Sequence, residues 1–174
     1  MARRGGEVSF QERLKGNCCF GCGYWNSNGL RIESYWTGDD EAECVYTPEA
    51  HQSAMPPDIM NGGIVAALID CHSVCTAIAD AYRREGRDVG AGEPLWYATG
   101  SLKVNYRKPT PINGPVTVRS RIVGVDGRKT RLEASVTSHE GVVTADGEVL
   151  AVRVPPSWAD PEGVLKHLGE ETEK

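Results

Sequence analysis

The chain has 174 residues, 40% hydrophobic and 25% charged, with a formal net charge of −5. That length and apolar content fit one domain with its own core. The acidic balance argues against nucleic acid or an anionic membrane as the main partner, and no apolar run is read as long enough to cross a bilayer.

Met1-Ala2-Arg3-Arg4 is followed by polar residues rather than the apolar stretch of a signal peptide, so a reducing cytoplasm is expected. Residues 1–16 read as a polar lead with a short helix over Val8–Lys15, residues 17–155 as the domain, and residues 156–174 as an acidic tail with a loose helix near Val164–Leu168. Cys19 and Cys22 are spaced like half a zinc site. No second Cys-x-x-Cys or histidine pair completes it, and Cys18, Cys44 and His51 are the candidates for the missing ligands. The expectation is no metal, with the thiols packing a tight glycine-rich loop. A thioredoxin-type centre lacks its βαβ setting.

Gly29–Trp36 and Ala42–Tyr46 flank Gly38-Asp39-Asp40 and predict a hairpin. Asn61-Gly62-Gly63 then opens an apolar helix that runs to Tyr82, with Cys71 and Cys75 one turn apart in it. Its paired glycines leave backbone N–H groups bare at the positive helix end, a ready site for an oxyanion. Asp70 interrupts the apolar run, and burying an unpaired carboxylate is costly enough to make it a candidate for function; the bland alternative is that it faces water. His72, two residues on, lies on another face and reads as a packed, hydrogen-bonded histidine.

A polar loop from Arg83 to Pro94 precedes four strands. Leu102, Val104 and Tyr106 alternate with Lys103, Asn105 and Arg107 before Pro109 and Pro111; Val116–Val125 ends in the Asp126-Gly127 turn; Leu132, Ala134 and Val136 follow; and Val142–Val154 completes the set, with Gly147 read as a bulge. Two strands, one long helix and four strands argue for an α+β fold, one antiparallel sheet wrapped around a helix, and exclude a Rossmann fold.

The chain, from about Cys19 to Val154, resembles the hot-dog fold, specifically the acyl-CoA thioesterases related to phenylacetic-acid-pathway and 4-hydroxybenzoyl-CoA thioesterases. Four segments carry the resemblance: Cys19-Phe20-Gly21-Cys22-Gly23 with Asn28-Gly29-Leu30; Asn61-Gly62-Gly63 with Asp70; Asn105-Tyr106-Arg107-Lys108-Pro109; and Asp126-Gly127-Arg128. The resemblance implies hydrolysis of a coenzyme A thioester without serine, metal or bound cofactor, and no Gly-x-Ser-x-Gly elbow occurs in the chain. It further implies that Gly62 or Gly63 polarises the carbonyl through its N–H, that Asp70 acts as general base or nucleophile, and that Thr99 faces the acid. Asn61 stands where the family has histidine. Some relatives place Asn or Gln six residues earlier, which here is Met55; because Pro56-Pro57 lengthens the loop, Gln52 is the candidate for that place. Arg107-Lys108 and Arg128-Lys129, with Arg131 beside them, are candidates for the phosphates of coenzyme A, or else ordinary solvated loop charges. Trp25, Trp36, Trp96 and Tyr97 are candidates for an aromatic acyl pocket or for the core.

Gly62 and Asp70 lie about 12 Å apart along one helix at 1.5 Å per residue, yet both must reach one carbonyl group. A homodimer with shared sites is therefore expected, and dimers of dimers, that is tetramers, are common in the family. The alternative is a non-catalytic hot-dog protein that binds an acyl or aromatic ligand.

Overall fold

The computed structural model describes residues 6–156. Period-two alternation of buried and exposed residues runs along β4 (Val116–Asp126), β5 (Lys129–Thr137) and β6 (Val143–Arg153), the pattern of a sheet with one face covered. With β1 (Ser34–Trp36), β2 (Glu41–Tyr46) and β3 (Tyr97–Tyr106) they form one antiparallel six-stranded sheet in the order β1-β2-β4-β5-β6-β3. The covering element is α2 (Gly62–Arg84), which packs against every strand. Its Val65, Leu68, Ile69 and Ile78 meet Val116, Val118, Leu132, Val136 and Val149 from the sheet in a continuous core. Fold class and the order of elements along the chain thus follow the sequence reading.

Several boundaries differ from expectation. The strand predicted over Gly29–Trp36 shrinks to Ser34–Trp36, because Leu30 N and Ile32 N donate instead to Phe20 O and Gly21 O, and Arg31 takes a positive φ of 51°. β3 begins five residues earlier than its apolar alternation indicates. Its first half carries a bulge between Thr99 and Ser101, centred on Gly100, and borders only β6, so that half has no face pattern to read. Gly147 pairs regularly with Val104 and Ala134 and marks no bulge. Its role is close approach: a Cβ there would lie 2.8 Å from Lys103 O and 3.2 Å from Ile69 Cγ2. Gly147→Ala is expected to destabilise the fold by about 1–3 kcal/mol, read as a lower urea midpoint at unchanged m-value.

The described part of the polar lead, residues 6–16, is anchored. In α1 (Phe10–Arg13), capped by Ser9 Oγ accepting from Glu12 N, Phe10 and Gln11 are buried, as is Leu14 just beyond. Phe10 packs on Trp36 at 5.1 Å between ring centroids. The helix expected over Val8–Lys15 is therefore shorter but real, whereas the one near Val164–Leu168 lies outside the described residues. The membrane reading also needs correction: α2, at 23 residues, is long and apolar enough to cross a bilayer by length and composition, since Cys71 to Tyr82 extend the apolar run past Asp70. It is mostly buried inside the sheet, as the core helix of a folded domain.

Candidate active site

Helix α2 starts at an asparagine cap. Asn61 is extended (φ −58°, ψ 133°), its Oδ1 accepts from Gly63 N at 2.8 Å, and its carbonyl accepts from Ile64 N and Val65 N. Asparagine is among the best N-cap residues, which gives this position a structural role where the resemblance expected histidine. Because the cap occupies the Gly63 amide, of the two glycines it is Gly62 whose N–H has no hydrogen-bond partner among the described residues. Tyr106 fixes the Gly62 peptide from the other side, its hydroxyl donating to Gly62 O at 2.7 Å. A free amide at the positive end of a 23-residue helix is a strong donor to a developing oxyanion.

Asp70 is half-buried on the same helix, eight residues on. Thr99 Oγ1 donates to Asp70 Oδ1 at 2.6 Å. Burial pushes the Asp70 carboxyl above the usual carboxylate range, the Thr99 hydrogen bond opposes the rise, and nearby Cys22 adds to it. The Gly100 bulge directly follows Thr99 and interrupts the ladder with β6 there. Asp70 is thus tied to the beginning of β3 and Gly62 to its end, at Tyr106. One protomer holds the donor and the acid apart.

Gln52 ends a 3-10 turn (Ala50–Gln52) and is buried. Its Oε1 accepts from Tyr46 Oη at 2.8 Å and Glu49 N at 3.0 Å, which leaves Nε2 as the uncommitted donor. Gln52 and Asn61 line one cleft of about 440 Å³ with Phe20, Leu30 and Ile64, whereas Met55 is 92% exposed. Asp70 does not border this cleft.

His72 is fully buried, with Nε2 donating to Ala42 O (3.1 Å) and Nδ1 accepting from Ser34 Oγ (2.8 Å). Gln11 completes the network through both Ser34 Oγ and Ser34 N. Burial lowers the His72 pKa to about 4, so the ring is neutral and structural. The four aromatic candidates do not gather at one place: Trp36 stacks under Arg83 and against Phe10, Tyr97 is in the core with Trp96 packed partly buried against that core, and Trp25 is 66% exposed beside Tyr24.

Among the basic candidates, Arg107 is held by Asp146, which also accepts from Asn105. Lys108, Arg128 and Lys129 are exposed, with no side-chain partner among the described residues. Lys108 follows the end of β3, whereas Arg128 sits in the β4–β5 turn and Lys129 opens β5, pairing with Val152 level with the start of β3. The two clusters therefore sit at opposite ends of the sheet within one chain.

Of the thiols, Cys44 is in the core, where burial pushes it up to about 12, and His51 pairs with Glu49 at 3.6 Å. Neither joins Cys19 and Cys22. The residue that does is Cys71, which sequence spacing placed only on the helix.

No family model matches the chain, and no curated protein matches it. Solved structures do. A thioesterase superfamily protein from Shewanella loihica is 25% identical, with a TM-score of 0.57 over 75% of this chain and 96% of that one. A thioesterase from Haemophilus influenzae superposes with a TM-score of 0.60 at 16% identity, covering 75% of this chain and 85% of that one. The PaaI protein of the Escherichia coli phenylacetic acid degradation operon gives 0.58 at 12% identity, covering 72% and 81%. The chain therefore has the hot-dog fold of the thioesterase-superfamily proteins it is similar to.

Proposed function

We propose that the protein is an acyl-CoA thioesterase that works as a homodimer, with Gly62 N–H of one protomer polarising the thioester carbonyl and Asp70 of its partner acting as general base or nucleophile. The observation that carries this reading is the pairing of a free helix-start amide with a half-buried acid on one helix, tied to opposite ends of β3. β3 is a ten-residue edge strand that borders β6 alone, with Leu102 and Tyr106 among its exposed side chains. A long unpaired edge invites pairing with a second copy. Antiparallel pairing of two β3 edges about a two-fold axis brings the Tyr106 end of one chain beside the Thr99 end of the other, and so Gly62 toward the partner's acid. The same operation sets Lys108 of one protomer on the side of Arg128 and Lys129 of the other, a combined basic rim suited to the phosphates of coenzyme A. Dimers can pair further into tetramers.

In this reading charge gathers on the carbonyl oxygen as the tetrahedral intermediate forms, and the preset Gly62 amide stabilises it where water is excluded. Asp70 takes a proton from water or adds to the carbonyl, and in both cases it must be ionised. The Thr99 hydrogen bond favours that form and fixes the carboxylate rotamer. Thr99 is a positioning residue: Thr99→Val removes about 1 kcal/mol of hydrogen bonding, which is expected to lower kcat roughly fivefold with KM little changed. Six free cysteines suit the reducing cytoplasm that completes the proposal.

The testing experiment is release of the coenzyme A thiol from acetyl, medium-chain, long-chain and aryl thioesters. Turnover of one class supports the reading. Saturable binding of an acyl or aromatic ligand with no thiol release across the panel establishes the non-catalytic alternative, which Asn61 in place of histidine favours.

A further inference from the structure

The cysteine-rich segment before β1 closes onto the middle of α2, 52 residues away in sequence, at the thiol of Cys71. Sγ of Cys19 and Sγ of Cys71 stand 3.8 Å apart, and the Sγ atoms of Cys19, Cys22 and Cys71 all lie within 4.8 Å of one another. A zinc ion about 2.3 Å from each thiolate of a tetrahedral set places the sulfurs roughly 3.8 Å apart. Cys75, one helical turn beyond Cys71 and fully buried, lies outside that group of three but interacts with Cys22, and so offers a fourth thiol.

The surrounding chain is shaped for this approach. A Cβ on Gly21 would fall 2.2 Å from Cys71 Sγ, so the loop reaches the helix only with glycine there, and one on Gly23 would fall 2.5 Å from Cys19 O, so the loop folds back on itself only with glycine there. Gly23 N donates to Cys19 O at 2.9 Å and closes the Cys-x-x-Cys turn. Asn17 braces both cysteines of that turn, one by its thiol and one by its backbone: its Nδ2 donates to Cys22 Sγ at 3.4 Å, and its Oδ1 accepts from Cys19 N at 3.0 Å. Amide donors around ligand sulfurs stabilise the thiolate form. Cys19 is exposed while the other three are buried, which leaves a path for an ion from solvent.

We propose that Cys19, Cys22, Cys71 and Cys75 bind one zinc ion as a closed tetrathiolate site. On binding, four thiols release their protons to solvent and each sulfur donates a lone pair to the metal, with no change of oxidation state. Four protein ligands leave no open coordination position, so the ion is structural. It pins the segment that carries Phe20 and Leu30, one wall of the cleft with Asn61 and Gln52, onto the turn of α2 next to Asp70. A single ion fits the sulfur spacing better than an iron–sulfur cluster, whose cysteine ligands stand further apart.

The test uses the full chain produced with zinc in the medium, and neither of its readouts depends on thioester cleavage. Elemental analysis is expected to find about one zinc per chain, and cobalt exchanged into the site is expected to show the intense sulfur charge-transfer and visible bands of a tetrahedral tetrathiolate. Cys19→Ser and Cys71→Ser are expected to reduce bound zinc to below roughly a tenth, while Cys18→Ser, at an exposed thiol outside the cluster, keeps it. Should the serine variants misfold, the unsubstituted protein decides alone: a mercurial thiol reagent is expected to release the ion in step with thiol modification, and chelation to lower Tm. Zinc below about a tenth per chain, a Cys19–Cys71 disulfide in the non-reduced peptide map, iron in place of zinc, or a cobalt spectrum with an oxygen ligand would each overturn the proposal.

Discussion

Asp70→Asn is expected to lower turnover of the best acyl-CoA substrate by at least about 100-fold, measured as thiol release, without loss of Tm. The substitution is nearly isosteric, and Thr99 Oγ1, which donates to Oδ1 at 2.6 Å, can donate as well to an amide oxygen. What disappears is the capacity to take a proton or to add to a carbonyl. Stability should move the other way, since burial raises the Asp70 pKa and a neutral amide removes that unfavourable charge. Loss of function with retained or raised Tm is the signature of a group kept for chemistry against its effect on folding. An acid kept only for structure would give the reverse, a lower Tm with activity unchanged, and equal rates would remove Asp70 from the mechanism.

The elements that local chemistry dictates were legible in the sequence. Asn61-Gly62-Gly63 marks the start of α2, Asp126-Gly127 the β4–β5 turn, and the order of strands around one helix gives the fold class. Asp70 stood out because an acid in an apolar helix is a local contradiction, and the structure gives it one bonded neighbour, Thr99, that the resemblance had pointed to. Periodicity failed where partners are chosen by distant chain. Residues 29–33 alternate like a strand, but Leu30 and Ile32 bond to the cysteine loop rather than to the sheet. Glycine was ambiguous for the same reason: Gly100 and Gly147 look alike in sequence, and only the register shows the first in a bulge and the second beneath Ile69. Cys71 illustrates the limit most sharply. Half a metal site is readable as Cys-x-x-Cys, but the other half is a helix face 52 residues away whose rotation toward the loop is a tertiary outcome. Gln11 likewise meets Ser34 and His72 across the fold, in a network no spacing could announce.

Gly62→Pro is expected to remove the polarising donor while leaving the helix intact, and to lower kcat by roughly 100- to 1,000-fold. Proline is tolerated at the first helical position, where its missing N–H breaks no intrahelical bond. The preceding Asn61, at φ −58° and ψ 133°, already has the extended backbone that proline requires of its neighbour. Gly62→Ala is the control for bulk: a Cβ there meets the Tyr106 ring at 3.4 Å, as the proline ring also must, but the N–H remains, so its loss should stay within about tenfold. Mixing the two inactive proteins then tests the shared site directly. In a heterodimer of Asp70→Asn and Gly62→Pro chains, one site combines the intact Gly62 of the first with the intact Asp70 of the second, and the other site carries both defects. Random exchange makes half of all dimers heterodimers, so the mixture should recover about a quarter of wild-type turnover. If each protomer held a complete site, every site in the mixture would carry a defect and no activity would return, which makes recovery on mixing the result that separates a site built between chains from one built within a chain.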